Sequence, residues 1–290
     1  MEVVGVMTQM PDWLPLGDCE LLVVSDGVLW LDAGSVFGVT PRVMWETLVE
    51  PLDEEHNLPV GLNCLLVRSQ GKLILVETGV GNKATRVPRG CGVAQAGTLL
   101  ADMARQGIRP EDVDIVINTH LHFDHCGGNT IYRDGKLALT FPRARYFLQK
   151  GEWEEANHPN ERTRASYLPE NLGPLADSRQ LELVEGEAEV IKGVRILPAP
   201  GHTAHHAIVE VASAGQTALY IGDLVQHHLM LERLAWISSF DELPLVSLET
   251  KKRILERAIA ENDLLVCVHC PPPGLGRLRL VDGKRKWEAL

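Results

Sequence analysis

The sequence predicts a mixed α/β fold. Short apolar, β-branched runs recur along the chain, each closed by glycine, asparagine, aspartate or proline, as strands between turns are. Two stretches instead repeat at helical spacing: Thr98 to Gln106, with Leu99, Leu100 and Met103, and Ser247 to Glu261, with Leu248, Leu255 and Ile259 on one stripe. No linker, low-complexity tract or internal repeat divides the 290 residues, so one domain over 1–290 is expected. With 45% apolar residues, the chain can bury a sizeable core.

In chain order, Glu20 to Val24 and Val28 to Leu31 flank Ser25-Asp26-Gly27 and read as a hairpin. Pro41 to Val49 opens like a helix, with Thr40 as its N-cap and Pro41 in the first turn. A second hairpin pairs Gly61 to Arg68 with Lys72 to Glu77 around Ser69-Gln70-Gly71. It ends at Thr78-Gly79-Val80-Gly81, a turn with too few constraints for a phosphate loop. The helix over 98–106 stops at Gly107, and Pro110-Glu111-Asp112 starts a short turn before the next strand. Gly151 to Asp177 is polar and carries Trp153, Tyr167 and three prolines; it reads as helices or loops covering one side, either as a lid or as a solvated insertion. Strand-like runs follow at Gln180 to Val184, Val194 to Leu197, Ala207 to Val211, Ala218 to Ile221 and, beyond the second helix, Leu264 to Val268. Trp30, Trp45, Trp153 and Trp236 are candidate pocket walls, with the core as the commoner place for any one of them.

The formal charge of −11 and the absence of a lysine- or arginine-rich run argue against nucleic acid or an anionic membrane as the main partner. Met1 to Pro15 lacks the basic, apolar makeup of a signal peptide, and no stretch approaches the roughly 20 apolar residues of a membrane span. Six cysteines without a disulfide-scaffold spacing suit a reducing cytoplasm. Cys267-Val268-His269-Cys270 contains a formal CxxC, but Pro271-Pro272-Pro273 forbids the helix that redox motifs open.

The densest chemistry lies in Thr119-His120-Leu121-His122-Phe123-Asp124-His125-Cys126-Gly127-Gly128, directly after the strand-like Asp114-Ile115-Val116-Ile117-Asn118. His120 and His122, two apart, would face the same side in extended backbone, and a turn carrying Asp124 and His125 can return two more ligands. Imidazole suits zinc and similar borderline ions, and carboxylate suits harder ones, so mixed nitrogen and oxygen ligation is coherent. Gly127 and Gly128 allow a tight turn. Three further candidates follow apolar runs: His202 in Pro200-Gly201-His202-Thr203, Asp223 after Gly222, and His269.

In order and context these segments resemble the successive motifs of the metallo-β-lactamase-fold hydrolases, over roughly residues 60 to 275. That resemblance implies a four-layer αββα sandwich with two divalent metal ions, zinc first among them, at one edge of its sheets. It also implies His120, His122 and His202 on one ion, Asp124, His125 and His269 on the other, and Asp223 bridging. The segment from Gly222 through Trp236, Phe240-Asp241 and His269-Cys270-Pro271-Pro272-Pro273-Gly274 to Arg277 is similar to the branch containing methyl parathion hydrolase and lactonase-like or esterase-like enzymes. Two positions depart from it. Glu77 stands where the family has an aspartate supporting a ligating histidine, and Gln226 stands where several lactonases have a substrate-facing tyrosine.

The expected activity is hydrolysis of a small apolar ester, lactone or related acyl compound by a metal-bridging hydroxide, with Asp124 passing a proton to the leaving group. A Gly-x-Ser-x-Gly elbow is absent. Phosphotriester or β-lactam hydrolysis at the same site is the alternative within the class. A diiron oxidoreductase and a non-catalytic small-molecule binder are the alternatives outside it. The former usually has a glutamate at the position of His122, and the latter predicts a substituted ligand. Relatives suggest a homodimer.

Overall fold

The computed structural model describes residues 12–83 and 91–290. Met1 to Pro11, most of the stretch read above for a leader, lies outside the described residues, as does the side chain of Cys91.

The run Leu62-Asn63-Cys64-Leu65-Leu66-Val67 shows no alternation of apolar and polar because both of its faces are buried. Leu65 and Val67 join Ile74, Val76, Ile115 and Ile117 in one core, while Cys64 and Leu66 pack with Leu99 and Met103 of the helix Leu99–Arg105 in another. The second half of the chain repeats this parity. Val209, Val211, Ala218 and Tyr220 enter the shared core, and Ile208, Leu219 and Ile221 pack against Ile254, Leu255 and Ala258 of the helix Pro244–Glu261. Two sheets thus stack face to face with helices outside each, the αββα sandwich expected.

The first sheet runs in the order Leu14–Leu16, Cys19–Asp32, Asn57–Ser69, Lys72–Val76, Ile115–Ile117, Arg145–Gln149, Leu181–Val184, with Cys91–Ala96 also paired to Cys19–Asp32. The second runs Ala188–Ile191, Val194–Pro198, Ala207–Ser213, Gln216–Tyr220, Leu264–Val266, Leu275–Val281, Lys284–Ala289. Ile115–Ile117 lies parallel to Lys72–Val76, and Gln216–Tyr220 parallel to Leu264–Val266. Their C-terminal ends therefore emerge together, where Ala207 N–H donates to Thr119 O at 3.0 Å and Asn63 N–H to Val268 O at 3.0 Å, joining the sheets. Among the described residues no helix is long and apolar enough to cross a membrane.

Four expectations need correction. Ser25-Asp26-Gly27 is not a hairpin turn: Cys19–Asp32 is one strand that pairs Asn57–Ser69 on both sides of a bulge between Ser25 and Val28. The bulge turns Asp26 inward, where its carboxylate accepts from Gly81 N–H and Leu99 N–H, each at 2.9 Å. The helix expected over 41–49 is only Arg42–Trp45, with Pro41 rather than Thr40 at its N-cap. Along Pro244–Glu261 the buried face is Ser247, Thr250, Lys251, Ile254, Leu255 and Ala258; Leu248 and Ile259 only flank it. None of the four candidate tryptophans lines the cavity over the histidine loop. Trp45 stacks on Phe37 at 4.8 Å, Trp236 meets the same ring edge-on, and Trp153 packs under the helices.

The segment 151–177 is partly enclosed and partly exposed. The helices Lys150–Asn157 and Pro169–Ala176 bury Glu152, Asn171, Leu172 and Leu175, and the segment between them lines the cavity described next.

Candidate metal centre

After Ile115–Ile117 the chain leaves the sheet, so His120 and His122 sit on a loop and converge by its curvature rather than by strand alternation, with ring centroids 4.6 Å apart. The short helix Phe123–Cys126 then carries Asp124 and His125 back toward them. Gly127 and Gly128 are required here for close approach rather than for backbone angle. A Cβ on Gly127 would strike the Val80 carbonyl, and one on Gly128 the Thr78 carbonyl. Thr78 N–H in turn donates to His125 O at 2.9 Å. The glycine-rich turn at 78–81 is therefore the floor on which the histidine loop rests.

The structure brings all seven candidate residues together, each 8% exposed or less. His120, His122 and His202 form one group of ligand atoms within 4.8 Å of one another, and Asp124, His125 and His269 form another. Asp223 lies between them. Its Oδ1 is 3.1 Å from both His125 Nε2 and His269 Nε2, and its Oδ2 is 3.2 Å from His202 Nε2. Asp124 Oδ2 stands 3.6 Å from the same two nitrogens of the second group. His202 Nε2 faces His122 Nδ1 at 3.0 Å.

Three of the rings are turned by a partner behind them, which selects the nitrogen presented to the centre. His120 Nδ1 meets Thr119 Oγ1 at 3.0 Å, His202 Nδ1 meets Asp241 Oδ1 at 3.0 Å, and His269 Nδ1 meets Gly61 O at 2.9 Å. His120 Nε2, His125 Nε2 and Asp223 Oδ1 are buried without a hydrogen bond. At 3.1 Å, His125 Nε2 and Asp223 Oδ1 are close but not aligned as donor and acceptor, so both are aimed at a shared point rather than at each other. Orphaned buried atoms of this chemistry fit divalent ions held by nitrogen and oxygen.

The electrostatics agree. Burial holds His120 and His122 well below the usual imidazole range, in the neutral form that ligates. Burial alone would raise Asp223, but His125, His269 and His202 override it and hold the carboxyl well below its ordinary value. The same pairing, against burial, pushes His125 up to about 10 through Asp223 and Asp124. Asp223 is thus a buried carboxylate that positive charge at the centre stabilises, a role divalent ions can fill.

Residues 58–269 match the sequence profile of the Metallo-beta-lactamase superfamily, nearly three quarters of the chain. The chain belongs to this superfamily. An N-acyl homoserine lactonase from a Bacillus species is 31% identical over 228 residues, which cover 73% of this chain and 82% of the relative. A probable metal-dependent hydrolase from Staphylococcus aureus, 25% identical, superposes with a TM-score of 0.84 over 91% of this chain and 94% of its own. A dizinc quorum-quenching lactonase solved with a product shares the fold, with a TM-score of 0.81 at 23% identity over 97% of each chain. This member of the metallo-beta-lactamase superfamily is a metal-dependent hydrolase of the lactonase-like branch.

The centre of this superfamily member opens into a cavity of about 470 Å³. Leu31, Phe123, Ala165 and Phe240 form its apolar wall, and Arg162, Thr163 and Ser166 from the 151–177 segment face them. Phe123 N–H donates to Ser166 O at 2.9 Å, and Arg162 Nη2 donates to Ser239 O at 2.9 Å and Asp241 O at 3.1 Å, so the segment is fastened to both sides of the opening.

Both departures from the family have visible consequences. Glu77, at φ +65°, reaches past the histidine: its Oε1 accepts from Thr119 N–H at 2.6 Å, while Oε2 stays 3.6 Å from His125 Nδ1, which is left without a hydrogen bond. Glu77 also groups geometrically with His120 and His125, but Thr119 and Asn118 already engage it. Burial pushes its carboxyl up to about 7. Gln226 lines the cavity, yet its Nε2 donates to Asp223 O at 3.1 Å and lies 3.4 Å from Asp241 Oδ1, so its amide is committed to the centre's frame.

Two supporting residues escaped the sequence reading. His206 Nε2 accepts from Asp223 N–H at 3.0 Å while its Nδ1 faces Ala199 O, fixing the backbone of Asp223. Its signal was the unexplained histidine richness of 202–206. Glu152 carried no signal, being one acidic residue in a polar stretch. In the formal CxxC, Cys267 and Cys270 are free and buried, and burial drives the Cys267 thiol well above its usual value, away from the thiolate.

Proposed function

We propose that the protein hydrolyses a lactone or ester bearing an apolar acyl chain, with His120, His122 and His202 holding one divalent ion, Asp124, His125 and His269 a second, and Asp223 bridging. The observation that carries this reading is the pair of ligand clusters sharing Asp223 at the floor of a half-apolar cavity. The mixed imidazole and carboxylate donors favour zinc. When bound, such ions supply a hydroxide nucleophile near neutral pH and polarise the substrate's carbonyl oxygen.

The chain's own residues do the rest. Asp223 directs one oxygen to each cluster and so fixes their separation. Asp124, which lines the cavity and is adjacent to His125 and His269, is placed to carry a proton to the leaving alkoxide. Phe123, Phe240 and Leu31 give an acyl chain an apolar surface, and the 151–177 segment shields the reacting carbonyl from bulk water. The relatives named N-acyl homoserine lactonases make an acylated lactone the first substrate to try.

The test combines metal analysis of the purified protein with a panel of lactones, esters, phosphotriesters and β-lactams. Lactone or ester turnover is expected, lost in His122→Ala with the fold retained by circular dichroism. Unchanged turnover in that variant would refute the site, and preferential phosphotriester or β-lactam turnover would refute the substrate class.

A further inference from the structure

Glu152 is a fully enclosed carboxylate outside the seven candidate ligands that touches their loops, and no step above uses it. It is 0% exposed and sits on the helix Lys150–Asn157. Three donors converge on it. Leu121 N–H bonds Oε1 at 2.9 Å, Tyr167 O–H bonds Oε1 at 3.0 Å, and Thr203 Oγ1 bonds Oε2 at 2.6 Å. Leu121 is the residue between His120 and His122, and Thr203 follows His202. The ring of Tyr167 lies against that of His122, centroids 5.1 Å apart. Every tie therefore leads to one cluster, the three histidines, and none leads to Asp124, His125 or His269.

The two halves also differ in charge. The second cluster owns the carboxylate of Asp124 and is backed by Glu77 near His125. The first has three imidazoles and no carboxylate of its own as candidate ligands; it shares Asp223, and Asp241 stands behind His202. A divalent ion among three neutral ligands carries a charge that a nearby buried carboxylate offsets in a low-dielectric surrounding.

Resting on the reading proposed above, we propose that Glu152 is a positioning residue dedicated to the three-histidine half: it fixes the loops at 120–122 and 202–203 against each other and balances the charge of the ion they hold. The 151–177 segment is then part of the metal centre's frame as well as a cavity wall, because Glu152 and Tyr167 both belong to it.

Two substitutions separate charge from position. Glu152→Gln keeps the side-chain shape and an oxygen for Leu121 N–H and Tyr167 O–H but removes the charge. Thr203→Val keeps the charge and cuts the tie to the His202 loop. Zinc content and zinc release to a chromogenic chelator are measured on the zinc-loaded proteins, with circular dichroism to verify folding. The wild type should retain two ions. Each variant should release one of them at least about tenfold faster, the loss typical when support behind a ligand is removed, with the other phase unchanged. Cobalt substitution should show a changed d–d spectrum for one site. Wild-type release of both ions by both variants, or equal acceleration of both phases, would overturn the proposal; if Glu152→Gln does not fold, Thr203→Val alone decides. A wild type that binds no ion would instead overturn the metal reading itself.

Discussion

Replacing Asp241 by alanine should disarm His202 through its tautomer. In the native protein His202 Nδ1 is 3.0 Å from Asp241 Oδ1, an acceptor, so the ring proton sits on Nδ1 and the Nε2 lone pair faces His122 and Asp223. The other neighbour of Nδ1 is Gln226 Nε2 at 3.3 Å. That amide group must be the nitrogen, because it also faces two acceptors, Asp223 O and Asp241 Oδ1. Once the carboxylate is gone, Gln226 becomes the only partner, and as a donor it favours Nδ1 as acceptor. The proton moves to Nε2 and covers the lone pair a metal needs. Loss of a carboxylate behind a ligating histidine costs about 10- to 100-fold in metal affinity, which is about 1.4–2.7 kcal/mol. Competition with a chelator of known affinity measures it. Asp241→Ala should fall in that range, and adding Gln226→Leu should recover part of the loss because the competing donor is removed. Affinity within twofold of wild type in Asp241→Ala, or no recovery in the double variant, would refute the tautomer argument.

Phe240→Ala should raise KM severalfold for long-chain acyl lactones and leave short-chain ones nearly unchanged, since Phe240 is cavity wall and not ligand; an equal effect on both would remove it from the acyl-binding surface. Burial pushes the Lys251 ammonium down to about 7, whereas an unfolded lysine titrates near 10.4. Between those pH values the unfolded chain holds a proton that the folded chain has released, so this residue's contribution to stability rises with pH by up to about 1.4 kcal/mol per unit and is flat below 7. Urea unfolding at pH 7, 8 and 9 should show the wild type gaining on Lys251→Met; parallel profiles would contradict it. Stripping metal with a chelator should lower the melting temperature and zinc should restore it, because an ion that binds the folded centre and not the unfolded chain adds its binding free energy to stability; an unmoved transition would speak against a loaded centre.

The candidate ligands were legible because their chemistry is local: HxHxDH packs four of them into six residues, and His202, Asp223 and His269 each follow an apolar run. The strand runs were legible for a related reason, since burial on both faces leaves an unbroken apolar signature. What escaped depends on contacts distant in sequence. Asp26 reads as a turn residue beside glycine, and only the packing of Gly81 and Leu99 around it makes a bulge the better solution. The stripe at 247–261 was drawn from apolar residues alone, yet the structure buries Ser247, Thr250 and Lys251, the last because Trp236 O accepts from its Nζ at 2.6 Å. Glu152 was invisible for the same reason: its partners lie up to 51 residues away on three separate segments.

The arrival of the candidate ligands after strands of both sheets has a consequence for how the protein comes apart. Positions 120, 202, 223 and 269 are joined by long stretches of chain, and no local segment can assemble the centre alone. A bound ion therefore acts as a cross-link of very high contact order, closing loops whose entropy must already have been lost through docking of the sheets. Local fraying of outer helices that do not support the centre, such as Leu99–Arg105, should leave the ions in place. Their release should instead report the separation of the two sheets, making metal retention a gauge of global rather than local opening.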